Sequence, residues 1–394
     1  MTAAKTGRIE ELDILKAIGI ICMVLGHSGS PVTRFIFLFH MPVFLAASGY
    51  SFKPSSTDTI RDVRAGVARK LKTLWLPFFL WAASFTLLHN VLLSLNLYTS
   101  DKAVLEYTRG MSMMNLTYST FQRPLTAGGM LRQLVWNALM RRADPLVNTL
   151  WFIQTLFVVS VAYALADWFL KRVLRRRNPL AGQAVLSVLL LTLGRLCCLL
   201  DLPVTHEAAR AASCYSLYFL GVLLRHFSPQ LAPRLDRWRW PVLGASFLLL
   251  LLFYRPEAVT VDLAWNNYPG FFALPVLTLA GWGLCWSLAC ILKRTPLRRP
   301  MVFIGQRTWC VLVLHYSAFK LVTALVVAWR HLPAVCLATL PYLNGEEGLW
   351  WLVYTAVGLA VPLLLQRLYE LGKKALAGRF PRGARGQQTG PAGQ

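Results

Sequence analysis

From Asp13 to His27 the chain reads DILKAIGIICMVLGH. Between its charged start and its closing histidine lies an apolar run, and a helix that crosses a bilayer needs roughly 20 such residues. Lys16 and His27 are eleven residues apart, close to three full turns at about 3.6 residues per turn, so both project from one helix face. A rise of about 1.5 Å per residue puts them ~16 Å apart along the axis, one near an interface and the other inside the membrane. Ionisable groups at such depth need a cavity or a partner, which makes each a functional candidate. Asp13, one turn before Lys16, is placed to pair with it or orient it, and Gly19 and Gly26 permit close helix approach. The structural alternative is a snorkelling lysine and a histidine bonded to a neighbouring helix.

Outward from this run, similar apolar segments recur almost end to end. The 394 residues are 56% hydrophobic and only 15% charged, which points to lipid as the solvent and leaves no room for a large soluble domain. Segments near 13–30, 34–52, 73–97, 148–170, 180–201, 211–227, 240–255, 269–292, 302–329 and 348–367 are expected to be transmembrane helices. The fold class is therefore all-α, a polytopic membrane protein with about ten transmembrane helices.

A net charge of +24 suggests nucleic acid in a soluble protein, but 28 of the 41 Lys and Arg cluster at the N-terminus and after every second apolar segment. Retention of basic loops in the cytoplasm explains that pattern and puts both termini there. The stretch from Tyr98 to Asn148 is expected on the opposite side, partly as interfacial helix over a substrate entrance. Residues 1–377 form one transmembrane domain, and 378–394, rich in Gly, Pro, Arg and Gln, read as a disordered basic cytoplasmic tail. Glu10, Glu11 and Asp13 precede the first apolar run without a small-residue cleavage site, so no removable signal peptide is expected. The eight cysteines sit mainly in apolar segments without metal-ligand spacing and read as packing residues; no metal is expected.

Further intramembrane polar groups follow. In FHMPVFLAASGY, Phe39 to Tyr50, His40 stands two residues before Pro42, whose ring is expected to interrupt the helix beside an ionisable group, with Ser48 near its far end. LWFIQTLF, from Leu150, opens the fourth helix with an aromatic pair that reads as an interfacial belt. FIGQRTWCVLVLHYSAFK, from Phe303, holds Arg307, His315 and Lys320, the first two roughly 80° apart in projection and so able to border one cavity. Arg195 is a further buried-charge candidate, whereas His89, His206, His226 and His331 fall near segment ends and read as interface residues.

The D-x-x-K-x(10)-H arrangement of Asp13, Lys16 and His27, followed by FHMPVFLAASGY, resembles the membrane acyltransferase-3 family, in particular its fucose 4-O-acetylase-like and sugar O-acetylase branch. LWF at Leu150 to Phe152 and G-x(9)-H from Gly305 to His315 are similar to weaker parts of the pattern. The resemblance implies about ten helices, an acyl-CoA donor from the cytoplasm and His27 as the catalytic residue. Many relatives carry arginine where this chain has Lys16, which keeps the charge but lacks the bidentate fork for phosphate. Many also place a carboxylate where Leu156 stands here, and no such role carries over.

The expected activity is transfer of an acetyl or other acyl group from acyl-CoA, with acetyl-CoA as co-substrate, to a hydroxyl of a carbohydrate or glycolipid of the cell envelope. The expected location is the cell membrane. His27 is the candidate catalytic residue, with His40 beside it, and Lys16, Asp13, Ser48, Arg307 and His315 are candidates for donor binding or charge stabilisation. A transporter or flippase for a glycan or lipid is the main alternative, and a membrane sensor or scaffold the second.

Overall fold

The computed structural model describes residues 9–108, 121–141, 143–173, 179–200, 202, 204–344 and 348–379, excluding the side chains of 376–379. The described chain is helical, with two isolated β-bridges, Thr99 with Phe121 and Asp262 with Asn267. Among the described residues six helices are long and apolar enough to cross a membrane: Ile60–Ser94, Pro145–Val173, Pro179–Leu199, Ala273–Leu292, Thr308–Trp329 and Trp350–Ala375. The other expected segments coincide with shorter or more polar helices: α1 (Glu10–Gly26), α2 (Thr33–Phe37) with α3 (His40–Tyr50), His206–His226 and Arg239–Phe253. Of the about ten transmembrane helices expected, six thus qualify on length and hydropathy among the described residues. The last helix runs to Arg379, past the expected tail boundary at 378, and the rest of that tail lies outside the described residues.

Three differences from the sequence reading shape the site. First, α1 stops at Gly26 and His27 is its C-cap, because Gly29 takes a φ of +80° and Pro31 follows, turning the chain back. Second, Pro42 starts a helix and does not kink one. Its ring would clash with the carbonyl four residues earlier, at Leu38, so the helix breaks there and resumes at His40, with Pro42 in a first turn whose N–H groups need no intrahelical partner. Third, the helix expected at 302–329 is divided into Arg298–Gly305 and Thr308–Trp329, with Arg307 outside helical geometry. The basic helix Ile60–Lys70 runs on through a π-helical turn at Leu71–Trp75 into Leu76–Ser94, so this element begins earlier than expected.

The centre is formed by α1, α3, Ala273–Leu292 and Thr308–Trp329. Buried side chains make up 67% of the apolar window in each of the last two, against 17% in Trp350–Ala375, which lies at the rim. Leu189, Leu248 and Leu252 are exposed on outer faces, as lipid contact requires. Glycine allows the closest crossings. A β-carbon at Gly49 would overlap the Tyr218 carbonyl, and one at Gly221 the Ala46 carbonyl, so α3 and His206–His226 touch backbone to backbone. Gly305 does the same against the Asp13 carbonyl and locks Arg298–Gly305 onto α1. Ion pairs of Glu10 with Arg298 and Glu11 with Lys293 hold the start of α1 to the same region.

Candidate active site

Two cavities lie against α1. The larger, about 660 Å³, is bordered by His27, His40, Phe37 and Tyr316; the smaller, about 310 Å³, by Asp13, Lys16, Ser48 and Gln306. Met23, Met41 and Leu312 border both. Positions 16, 20 and 23 of α1 face the lysine cavity, and positions 23 and 27 the histidine cavity. The helix therefore carries one polar face past both, with a methionine at the junction.

His27 is buried, and its Nδ1 lies 3.0 Å from Nε2 of His315, the two rings nearly parallel. His315 Nδ1 lies 3.0 Å from the Val311 carbonyl and 3.1 Å from that of Leu312. Carbonyls only accept, so His315 Nδ1 carries the proton and its neutral ring offers Nε2 as an acceptor. His27 Nδ1–H then donates to it. Nε2 of His27 is left as an unprotonated, basic nitrogen on a residue of the cavity wall. His40 follows the same logic: its Nδ1 donates to the Ile36 carbonyl at 2.9 Å, and Nε2 is the basic atom. The Phe37 ring packs against both imidazoles.

In the lysine cavity Asp13 is buried and accepts from Gln306 Nε2 at 3.4 Å, while Ser48 Oγ donates to the Phe44 carbonyl at 3.0 Å. Thr73 and Leu74 of the π-helical turn border this cavity, next in sequence to Arg69, Lys70 and Lys72. Leu156 borders it too.

Arg307 and His315 do not meet at one cavity as their projection suggested. His315 stands behind His27, and Arg307 makes a bidentate pair with Glu370, 2.9 and 2.7 Å, its guanidinium over Phe303 and outside both linings. The break at Gln306–Arg307 separates them. Lys320 donates to the carbonyls of Leu337 and Thr339 and so anchors a loop. Arg195 packs over Tyr268.

Several wall residues of the histidine cavity do not stand out in the sequence. His89 sits between Asp144 Oδ2 and the Arg123 carbonyl, each at 3.1 Å, and a doubly protonated ring satisfies both. His206 Nε2 donates to the Ala264 carbonyl, 2.9 Å away. Asp262 accepts from the backbone N–H groups of Ala264 and Trp265, yet burial outweighs them and pushes its carboxyl up to about 6. Gln133, Met140 and Arg141 place part of the Tyr98–Asn148 stretch over the same cavity; residues 109–120 and 142 of it lie outside the described residues. The aromatic pair read as an interfacial belt divides between the cavities, Trp151 on the histidine side and Phe152 on the lysine side.

The family model described as an acyltransferase domain, Acyl_transf_3, matches residues 9–367. The chain belongs to this membrane acyltransferase-3 family. The match spans both cavities and nearly the whole helical assembly, and it lends no support to a transporter. No curated protein and no solved structure matches the chain significantly. Among the described residues no group of three or more His, Cys, Asp or Glu is arranged to hold a metal ion.

Proposed function

We propose that this acyltransferase moves an acetyl group from acetyl-CoA to a hydroxyl of a carbohydrate or glycolipid of the cell envelope. In this reading residues 1–377 form one domain that crosses the cell membrane about ten times with both termini cytoplasmic. The observation that carries it is the pair of cavities sharing Met23, Met41 and Leu312, with a cation in one and a basic imidazole in the other. A long donor with phosphates at one end and a thioester at the other suits that arrangement.

The donor enters the lysine cavity. Its phosphates are held by Lys16, beside Asp13 and Ser48, and by the basic residues Arg69 and Lys70 ahead of the π-helical turn. Its pantetheine arm passes Met23 and Met41, and the thioester carbonyl reaches His27. The acceptor hydroxyl occupies the histidine cavity.

His27 Nε2 takes the hydroxyl proton as the oxygen attacks the thioester carbon. The new C–O bond forms, the C–S bond breaks, and the imidazolium returns the proton to the departing CoA sulfur. His315 holds the His27 ring in the reactive tautomer and accepts its Nδ1–H throughout. His40, with Nε2 unprotonated, accepts a hydrogen bond from the acceptor and aligns it. Arg307, paired with Glu370, takes a structural part at the end of the helix.

The test is acetyl-CoA turnover by purified protein, with cell-envelope glycans as acceptors and mass spectrometry of the product. An acetyl increment on a glycan supports the reading. Intact acetyl-CoA and unmodified glycans, from protein shown to be folded, would overturn it.

A further inference from the structure

Arg210 is 4% exposed, lies in the wall of the histidine cavity and hydrogen-bonds no carboxylate among the described residues. Three neutral acceptors hold it: Thr155 Oγ1 from Nε, the Ala264 carbonyl from one terminal nitrogen and Gln154 Oε1 from the other, at 2.9, 2.9 and 2.8 Å. Its guanidinium carbon lies over the Trp151 ring, 5.0 Å from the centroid. A guanidinium has five N–H donors, so two have no hydrogen-bond partner among the described residues. Glu207 and Asp262 border the same cavity and act on the guanidinium electrostatically, without a hydrogen bond to it.

The hydrogen-bond partners of Arg210 thus fix its orientation through neutral acceptors and leave two of its N–H donors unmatched among the described residues. The cation–π contact with Trp151 and the bonds to Gln154 and Thr155 hold the guanidinium in place, as planar recognition of an oxyanion needs. A buried, rigidly held guanidinium with two unmatched N–H donors at the wall of an open cavity is built to take an oxyanion on them.

We propose that Arg210 is a subsite for an oxyanion, a carboxylate or a phosphate, carried by the acceptor. The inference rests on the reading that the histidine cavity receives the acceptor, and it narrows that acceptor to an acidic sugar or sugar phosphate. Its geometry sets the sugar between Arg210 and His27, with the acidic group on one and a hydroxyl on the other.

Binding of D-galacturonate, galactose 1-phosphate and galactose to the full-length protein in nanodiscs is measured by tryptophan fluorescence, without acetyl-CoA. At least one acidic probe is expected to bind roughly 10- to 100-fold more tightly than galactose, the range of a charge-assisted hydrogen bond. The better of the two tells carboxylate from phosphate. Arg210→Gln removes the preference and Arg210→Lys keeps part of it. Equal binding of acidic and neutral probes by the unmodified protein, or no binding of any, overturns the subsite, as does a folded Arg210→Gln protein that keeps the preference. The unmodified protein decides alone if the variant does not fold. Acidic probes that bind while acetyl-CoA stays intact would sink the transferase reading and leave the subsite standing. Acetyl transfer to neutral sugars as readily as to acidic ones would do the reverse.

Discussion

His27 Nδ1 and His315 Nε2 are 3.0 Å apart, and the other nitrogen of His315 is committed to two main-chain carbonyls. The proton order along this chain is therefore set by backbone, which cannot change its role. His315→Phe is expected to lower kcat by at least about 10²-fold, the usual scale for acid–base positioning, with little change in KM for acetyl-CoA. His315→Gln, which keeps an acceptor, is expected to recover part of the loss. A pH–rate profile separates this from simple misfolding: the rescued variant shifts the limb that reports His27 and melts like the parent.

Donor binding and chemistry separate along α1. Lys16→Ala is expected to raise KM for acetyl-CoA by roughly 10- to 100-fold, the loss of one charge-assisted phosphate contact, with kcat recovered at high donor concentration. Lys16→Arg should bind the donor at least as well. Met41→Trp fills the junction of the two cavities and should lower kcat/KM for acetyl-CoA by at least about tenfold through misplacement of the thioester. Steady-state kinetics with each variant checks both.

Gly305 has no space for a side chain against the Asp13 carbonyl, whereas a β-carbon added at Gly66 would meet nothing within 4 Å. Gly305→Val is expected to destabilise the protein by about 1–3 kcal/mol and to weaken donor binding by shifting the start of α1. Gly66→Ala, half-buried inside the helix Ile60–Lys70, should stabilise by roughly 0.5–1 kcal/mol. Thermal unfolding in detergent measures the difference.

Asp262 has a folded-state pKa raised to about 6 by burial, above an ordinary value of about 3.9. Its contribution to stability is therefore fully present below about pH 4 and is lost as pH rises through about 6. Asp262→Asn keeps the oxygen that accepts from Ala264 and Trp265 and removes the buried charge. Relative to the parent, the variant is expected to gain about 1–3 kcal/mol at pH 7.5 and little at pH 4, measured by unfolding at both.

The first helix is the most legible part of the sequence, because eleven residues is three turns and the face bearing Lys16, Met23 and His27 is a local property. The ends of the helices are less so. His27 falls on a cap through Gly29 and Pro31, and Pro42 restarts a helix, both of which depend on which side of the proline the chain breaks. His89, His206 and Arg210 carry no comparable signal, because their neighbours at Arg123, Asp144, Gln154 and Ala264 are distant in sequence and no spacing rule joins them. Arg210 leaves one trace, an arginine within HEAARAASCY ahead of the apolar run from Leu217 to Leu224 of the same helix. Arg307 and His315 share a helical projection only if the helix between them is unbroken, and it is not.

The most direct measurement is acetyl transfer by purified His27→Ala protein that unfolds at the same temperature as the parent. If the His27 imidazole removes the hydroxyl proton, this protein binds acetyl-CoA with near-parental affinity and transfers acetyl at least about 10²-fold more slowly. A transfer rate close to the parent's would contradict it.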